Sequence, residues 1–477
     1  MGATRSSYRY YSVRGGRPLQ GEVAVGGAKN AGPQLLIASL LSSQVSVLEN
    51  MPRTREVDIT LSICSSIGVT WEWLDANTLQ IDPSKLSEFR IPDADSRANR
   101  SSILFVAPLL ARLDAAQIAA VGGDALGSRT VDFHVDGLRA LGVDVRATES
   151  ETTFTAAGLH GATVRFPFPS VGATQQLLIA AAAAEGRTVL RNAAVEPEIQ
   201  NLVGFLQAMG ARIQQEAGRT WTIDGVGGAG AAATGSQFRG VRYRIIPDRL
   251  QAASYATAAV VTGGEVMVYN AVQEHMATFL NALRATGGEF EIEPQGIRFR
   301  SSGRLNKVLV ETEPHPGFMT DWLPPLAVLL TQAEGVSIVH ETVYESRFGY
   351  VPTLVAMGAN IEMYDSCLGN RSCRFRDLGY QHSAVIQGPV QLQPSEMVVP
   401  DLRAGFAYLL AALIADGESR VWQIDYVERG YEALRENLLA LGAEVSEGQA
   451  LPPNALALAS AFERGAEVRA GSALSPA

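Results

Sequence analysis

The amino-acid sequence predicts an α/β protein built from six copies of one unit and divided into two domains, and three observations carry that expectation. At 477 residues the chain is too long for a single simple core. A helix end running into a strand start, Leu-x-x-x-Gly-x-x-apolar, recurs along it. An Ala/Leu-rich helix, followed by a short turn and a strand, keeps step with that first element.

The first element reads LRALGVDV from Leu138 to Val145, LQAMGARI from Leu206 to Ile213 and LRATGGEF from Leu283 to Phe290. It returns as LVAMGANI from Leu354 to Ile361 and LLALGAEV from Leu438 to Val445, with a weaker copy, CSSIGVTW, from Cys64 to Trp71. The glycines Gly68, Gly142, Gly210, Gly287, Gly358 and Gly442 are 74, 68, 77, 71 and 84 residues apart. Each is expected to end an amphipathic helix in the left-handed conformation before the next strand begins.

The second element occupies 35–50, 105–120, 177–192, 255–270, 326–341 and 406–423, and most copies close on a polar residue. These helices are apolar nearly all round, so they are expected to be buried on every side. Six units of roughly 75 residues, each mixing strands with two helices, define an α/β repeat architecture.

Composition narrows the chemistry. Hydrophobic residues make up 47% and charged residues 18%, the balance of a well-packed globular chain rather than a disordered one. A net charge of −10 disfavours a nucleic-acid surface, so any anionic ligand must be met by a local basic cluster. Cys64, Cys367 and Cys373 form no disulfide framework, and Cys367-x5-Cys373 has no His or Cys pair at zinc spacing, so the two read as loop thiols. His134, His315, His340 and His382 show no HxxxH or HxxH spacing, and neither a metal nor a cofactor is expected. The N-terminal 18 residues lack a signal-peptide core and no apolar run reaches the ~20 residues of a membrane span. A cytoplasmic protein is expected.

Two segments carry candidate chemistry. Gly26-Gly27-Ala28-Lys29-Asn30-Ala31 lies between a strand, Glu22 to Val25, and the helix beginning at Leu35. Glycines at such a turn let backbone N–H groups approach an anion, and Lys29 adds a full charge; a structural turn with a solvated lysine explains it as well. Gly122-Gly123-Asp124-Ala125-Leu126-Gly127-Ser128-Arg129-Thr130-Val131-Asp132-Phe133-His134 has the glycine density of a mobile lid, or of a connecting loop.

These segments resemble those of the UDP-N-acetylglucosamine 1-carboxyvinyltransferase family, enolpyruvyl transferases of the EPSP-synthase-like fold. The similarity runs from about Glu22 to Val445. It includes Ser170 to Thr174, Asn192 to Glu198, Pro247 to Arg249, His315 to Asp321, Glu341 to Phe348, Asp401 to Ala404 and Arg429 to Glu432. The resemblance implies a two-domain inside-out α/β barrel of six βαβαββ repeats with its active site in the interdomain cleft. It places an N-terminal arm at 1–21 and one domain at 22–28 plus 241–450. A second domain at 29–240 carries a lid at 122–132, and a flexible tail follows at 451–477.

Position by position, Lys29, Arg129 and Arg429 resemble the residues that hold phosphoenolpyruvate, with Arg347 and Arg403 in support and Arg100 a further site arginine. Arginine forks match both the phosphate and the carboxylate of that ligand. Asp321 resembles the general base and Asn30 the sugar contact. Arg129, Thr130, Val131, Asp132 and Phe133, with Ser170, Val171 and Gly172, resemble the uridine pocket, and Val343 is carried over as a substrate contact. Asp124 occupies the lid slot where many members have a cysteine that donates a proton, work a carboxylic acid of raised pKa also performs. The implied catalytic set is therefore Asp124, Asp321, Lys29 and Arg429. The implied reaction moves the enolpyruvyl group of phosphoenolpyruvate to a hydroxyl of UDP-N-acetylglucosamine, the first committed step of peptidoglycan precursor synthesis.

The chain departs from the family at Phe168, Leu104, Glu428 and Gln251, and it continues beyond Leu451. These departures leave open a paralogue acting on another uridine nucleotide such as UMP, or a non-catalytic nucleotide-sugar-binding relative. EPSP synthase shares the fold, but GGDALGSR and FPSVGAT point to the UDP-sugar branch.

Overall fold

Every Ala/Leu-rich segment is a helix that leads into a strand in the computed structural model, which describes residues 7–98, 100–119, 131–227, 237–301, 303–371 and 373–451. Strands β1 (Tyr8–Arg14) and β2 (Gln20–Ala24) precede the first repeat. That repeat is α1 (Gly32–Ser39), β3 (Ser46–Glu49), α2 (Arg55–Ser66), β4 (Thr70–Trp73) and β5 (Leu79–Asp82). The second has α3 (Asp93–Ala98), α4 (Val106–Leu113), β6 (Ala115–Ala119), α5 (Asp132–Ala140), β7 (Asp144–Ala147) and β8 (Glu151–Thr155). The third has β9 (Thr163–Arg165), α6 (Val171–Ala182), β10 (Glu185–Arg191), α7 (Pro197–Met209), β11 (Arg212–Glu216) and β12 (Thr220–Val226).

After β13 (Arg242–Arg244) the fourth repeat runs α8 (Arg249–Val261), β14 (Glu265–Tyr269), α9 (Ala277–Ala285), β15 (Gly288–Glu293) and β16 (Gly296–Ser301). The fifth is β17 (Leu309–Glu311), α10 (Leu323–Leu330), β18 (Gly335–His340), α11 (Val351–Ala356), β19 (Asn360–Tyr364) and β20 (Ser383–Gly388). The sixth is β21 (Glu396–Val398), α12 (Leu402–Ile414), β22 (Glu418–Trp422), α13 (Asp425–Glu428), α14 (Leu434–Ala440) and β23 (Glu444–Ala450).

One sheet order serves the repeats. A short strand pairs in parallel with the strand that follows the buried helix, and that strand pairs antiparallel with a hairpin: β9-β10-β12-β11, β2-β14-β16-β15 and β17-β18-β20-β19. The first repeat borrows β13 as its parallel edge, and the sixth borrows β1 as the inner hairpin strand, giving β13-β3-β5-β4 and β21-β22-β1-β23. The second sheet is β6-β8-β7, with Arg90 bridging Gln117 in parallel where the edge strand belongs. Residues 8–14 of the expected arm are therefore an interior strand, with Tyr10 opposite both Trp422 and Gly448.

The described residues fall into two compact units, 7–25 with 249–451 and 26–119 with 131–248. The chain passes between units at 25/26 and 248/249, outside the expected 28/29 and 240/241. Pairing explains the difference: β13 lies beside β3, and Gly27 bridges Pro247. Each unit holds three separate sheets, with no closed barrel among the described residues. Beyond Leu451 the expected tail lies outside those residues. No helix among them is long and apolar enough to cross a membrane.

The cores follow from the helices. All eight residues of α10 are buried, as are Leu177 to Ala182 of α6 and Leu35 to Ser39 of α1. In one unit α8, α10 and α12 pack on one another and each on its own sheet. Burying Leu326, Val328, Leu329 and Leu330 of α10 alone contributes about 6–12 kcal/mol of gross hydrophobic stabilisation.

All six repeat glycines have positive φ: 93° at Gly68, 92° at Gly142, 116° at Gly210, 95° at Gly287, 101° at Gly358 and 86° at Gly442. At Gly442 an added Cβ meets nothing within 4 Å, so backbone strain alone excludes other residues there. Gly442→Ala is therefore expected to lose about 1–2 kcal/mol, and Gly442→Asn less, because asparagine tolerates the left-handed region. Urea unfolding midpoints of the two variants measure this, and an alanine variant as stable as the parent would remove strain as the reason for glycine.

Candidate active site

In the unit containing 26–248, the Lys29 turn is pinned by its backbone. Ala28 N donates to Ile246 O at 2.8 Å, Asp248 N to Gly26 O at 2.9 Å, and Lys29 N to Asp248 Oδ2 at 3.1 Å. A Cβ on Gly27 would lie 1.8 Å from Asn50 O, so only glycine lets the turn approach the end of β3. Lys29 and Asn30 are half-buried at this turn, and Asn30 O accepts from the buried Gln175 Nε2 at 3.4 Å. The carboxylate of Asp248, a residue outside the expected set, thus orders the backbone that carries the lysine.

Six residues of the expected uridine pocket lie at two helix starts. Val131, Asp132 and Phe133 open α5, and Ser170, Val171 and Gly172 open α6, where Ser170 Oγ accepts from Ala173 N at 3.3 Å. Glycine lets the helices meet: a Cβ on Gly137 would lie 2.3 Å from the Leu177 side chain, and one on Gly172 would lie 3.2 Å from the His134 ring. His134 is buried, with Nδ1 bonded to Gln176 Oε1. Burial pushes its pKa down to about 4, with the Gln176 bond opposing and the charge of Arg100 assisting. A neutral ring packed between α5 and α6 is a structural histidine. Arg100 is half-buried close by. Asp124, Arg129 and Thr130 lie outside the described residues.

The other unit holds Asp321, Arg347, Arg403, Arg429 and Val343. Arg347 Nη2 meets Asp321 Oδ1 at 2.9 Å, with the arginine side chain 2% and the aspartate 17% exposed. Arg347 Nε donates to Thr320 Oγ1 at 2.9 Å, and Thr320 Oγ1 donates to Glu341 Oε2 at 2.7 Å. Glu341 Oε1 accepts from Thr312 Oγ1 at 2.8 Å, Val343 N at 2.7 Å and Tyr344 N at 2.8 Å. Burial works against the charge of Arg347, but Asp321, Glu341 and Asp401 outweigh it and hold the guanidinium above its ordinary pKa. Burial also raises the Glu341 carboxyl, against the pull of Arg347 and the hydrogen bonds it accepts.

Arg403 is the second residue of α12, and Arg429 caps the C-terminus of α13. A Cβ on Gly430 would lie 2.7 Å from Leu402 and one on Gly405 2.4 Å from Val427, so glycines bring these elements together. Gln251, one of the departures, donates Nε2 to Gly430 O at 3.3 Å and supports the Arg429 turn. Glu428, another, is held by Arg9 Nη1 at 2.7 Å and Tyr11 OH at 2.5 Å from β1.

The structure therefore joins Asp321, Arg347 and Val343 in one network, Lys29 and Asn30 on one turn, and the six described residues of the expected uridine pocket at one pair of helix starts. Sequence reasoning gave no role to Glu341 or Thr320. The signal lay in the repeat: Asn50, Asn192, Asn270 and Gln423 close the strands of other copies, and Glu341 is the acidic counterpart in the fifth.

Comparison with known proteins agrees with this architecture. The solved enolpyruvyl transferase NikO from Streptomyces tendae superposes with a TM-score of 0.81 at 23% identity, covering 93% of this chain and all of that one. EPSP synthase from Acinetobacter baumannii gives 0.71 at 16% identity. The fold is thus of the enolpyruvyl transferase class. Residues 13–438 match the family described as EPSP synthase (3-phosphoshikimate 1-carboxyvinyltransferase), and the chain belongs to that family. The UDP-N-acetylglucosamine 1-carboxyvinyltransferase of Protochlamydia amoebophila is 44% identical over 442 residues, 91% of this chain and 93% of the relative. The protein of that name from Gluconobacter oxydans is 38% identical, covering 91% of this chain and 98% of the relative.

The Glu341 hub yields a stability prediction. Glu341→Ala leaves two hydroxyls and two backbone N–H groups without their acceptor and is expected to cost about 3–5 kcal/mol, whereas Glu341→Gln keeps one acceptor oxygen and costs about 1–2 kcal/mol. Urea denaturation distinguishes them, and equal losses would remove the hydrogen-bond set as the cause.

Proposed function

We propose that the chain transfers the enolpyruvyl group of phosphoenolpyruvate to a hydroxyl of UDP-N-acetylglucosamine and releases phosphate. The observation that carries this reading is Asp321, a partly exposed carboxylate anchored at 2.9 Å by the buried Arg347. The names of the relatives, shared over nine-tenths of the chain, support the same acceptor. A binding-only relative has no use for such an acid.

In the proposed reaction Asp321 takes the proton of the acceptor hydroxyl as its oxygen bonds to C2 of phosphoenolpyruvate, and Asp124 protonates the methylene carbon. The tetrahedral ketal then loses a methyl proton and phosphate, which restores the double bond as an enol ether. Lys29, Arg129 and Arg429, with Arg100, Arg347 and Arg403, neutralise the phosphate and carboxylate through charge-assisted hydrogen bonds. Asn30 contacts the sugar; Thr130, Val131, Asp132 and Phe133 contact the uridine together with Ser170, Val171 and Gly172. Val343 completes the substrate contacts. We place this chemistry in the cytoplasm, as the first committed step of cell-wall precursor synthesis.

Phosphate release with phosphoenolpyruvate and either UDP-N-acetylglucosamine or UMP tests the assignment. Release is expected with the nucleotide sugar, and release with UMP alone would reassign the acceptor. Asp321→Asn is expected to lower turnover at least ~100-fold while phosphoenolpyruvate still binds, and near-normal turnover would exclude the base role.

Asp124 yields a second prediction, indifference to fosfomycin, the epoxide that alkylates the lid cysteine of relatives. A carboxylate is a far weaker nucleophile than a thiolate towards an unactivated epoxide. Cys64 is buried in α2, and Cys367 and Cys373 lie between β19 and β20. Asp124→Cys is expected to create time-dependent inactivation while keeping some transfer activity. Intact-mass spectrometry after incubation with fosfomycin and the nucleotide sugar measures it; a stoichiometric adduct on the parent with parallel loss of activity would remove Asp124 from the lid slot.

A further inference from the structure

The fifth repeat breaks the pattern of the others. The two strands after the repeat glycine are joined by residues 74–78, 148–150, 217–219 and 294–295 in repeats one to four, two to five residues each. In the fifth, β19 and β20 are joined by 365–382, eighteen residues with no helix or strand among the described ones. Irregular connections of that length are uncommon in compact domains and call for something to hold them.

Three metal-ligating side chains meet there, and a fourth, His382, adjoins one of them. Cys367 Sγ, Cys373 Sγ and a ring nitrogen of His340 lie within 4.8 Å of one another. Cys367 Sγ is 3.6 Å from Cys373 Sγ and 3.4 Å from His382 Nε2. In a tetrahedral zinc complex, bond lengths near 2.3 Å to sulfur and 2.05 Å to nitrogen set edges of about 3.8 Å between thiolates and about 3.6 Å between thiolate and imidazole. The Cys367–Cys373 and Cys367–His382 separations are close to those edges, and the sulfurs are well beyond the ~2.05 Å of a disulfide bond.

His382 is oriented as a ligand, and His340 is fixed in place beside the sulfurs. His382 Nδ1 lies 2.7 Å from the Tyr380 carbonyl oxygen, which only accepts, so Nδ1 carries the proton and Nε2 turns a lone pair towards Cys367. His340 Nδ1 lies 2.9 Å from Ser383 Oγ, whose own proton goes to Ser366 O at 2.7 Å. On the other side of the ring, Nε2 lies 3.2 Å from the Arg371 carbonyl oxygen, so the ring is held between β20 and the loop. Both histidines are fully buried and both cysteines half-buried.

We infer that Cys367, Cys373, His340 and His382 bind one zinc ion that clamps the 365–382 loop onto the ends of β18 and β20. Two thiolates and two neutral imidazoles make a neutral complex with Zn²⁺, suited to this enclosed position, and sulfur donors exclude magnesium and calcium. Chain spacing conceals the site, because His340 lies on a different strand from the loop.

The full-length protein, expressed with zinc and desalted, is expected to carry about one zinc per chain by plasma mass spectrometry. Cys367→Ser and Cys373→Ser should reduce this at least ~10-fold, and Cys64→Ser should not. Cobalt reconstitution should give a thiolate charge-transfer band and the intense visible bands of a tetrahedral ion. Hydrogen exchange on the unaltered protein covers variants that fail to fold: chelation should accelerate exchange within 365–382 and leave α6 unchanged. Absence of retained metal, zinc content indifferent to the serine variants, a Cys367–Cys373 disulfide after purification in reductant, or exchange unmoved by chelation would each overturn the site.

Discussion

A helix that is apolar on every side cannot rest on a surface, and most of this structure follows from having six of them. α1, α4, α6, α8, α10 and α12 each need apolar neighbours around their circumference. A sheet covers one side, sister helices and the remaining elements of the repeat cover others, and two cores result. The glycine with positive φ is the companion device. It stops the outer helix and returns the chain to the sheet within a few residues, so the repeat stays short enough for three copies to close around each core.

Burying helices so completely places their ends, and the ends of the strands that follow, where backbone polar groups lack water. Asparagine answers this in three repeats. Asn50, Asn192 and Asn270 adopt φ of 56°, 54° and 64°, and each donates Nδ2 to the carbonyl just beyond the parallel edge strand: Ile245, Phe166 and Val25. In the fifth repeat Glu341 takes this place, accepting from two backbone N–H groups and two threonine hydroxyls. A position that elsewhere only latches a strand thereby becomes, through Thr320, part of the support for Arg347 and Asp321. Chemistry enters by substitution within an existing structural latch.

Residues whose role is local were legible in the sequence. The helix ends, the six glycines, the buried helices and the strand after each follow from periodicity and spacing, and all six copies fold as read. The borrowed strands were not legible: β1, β2 and β13 look like an arm and connectors, and only pairing over more than 190 residues assigns them to sheets. At the site, charged groups such as Lys29, Asp321 and Arg347 announce themselves by type and resemblance. Their supports do not, since Asp248 and Glu341 act through backbone contacts that carry no pattern in the chain. The departures at Gln251 and Glu428 likewise acquire meaning only from their partners, Gly430 and the pair Arg9 and Tyr11.

The fifth repeat concentrates these features at one strand end. His340 and Glu341 are consecutive, and along an extended chain consecutive side chains leave on opposite sides. One side carries the Glu341 hub with Thr320, Arg347 and Asp321, and the other carries the cysteine and histidine cluster. The long loop between β19 and β20 reaches back across this point. Glu311 Oε1 and Oε2 accept from Asn370 N at 2.7 Å and Arg371 N at 3.0 Å, while Arg374 Nη2 donates to Val343 O at 2.6 Å. A Cβ on Gly369 would lie 2.7 Å from the His340 ring, so glycine lets the loop lie flat against it. Arg374 follows Cys373 directly, and Val343 also hangs from Glu341. Whatever fixes the cysteine end of the loop therefore fixes the backbone on which the Asp321 network depends, which makes loop order and site order one physical property of this repeat.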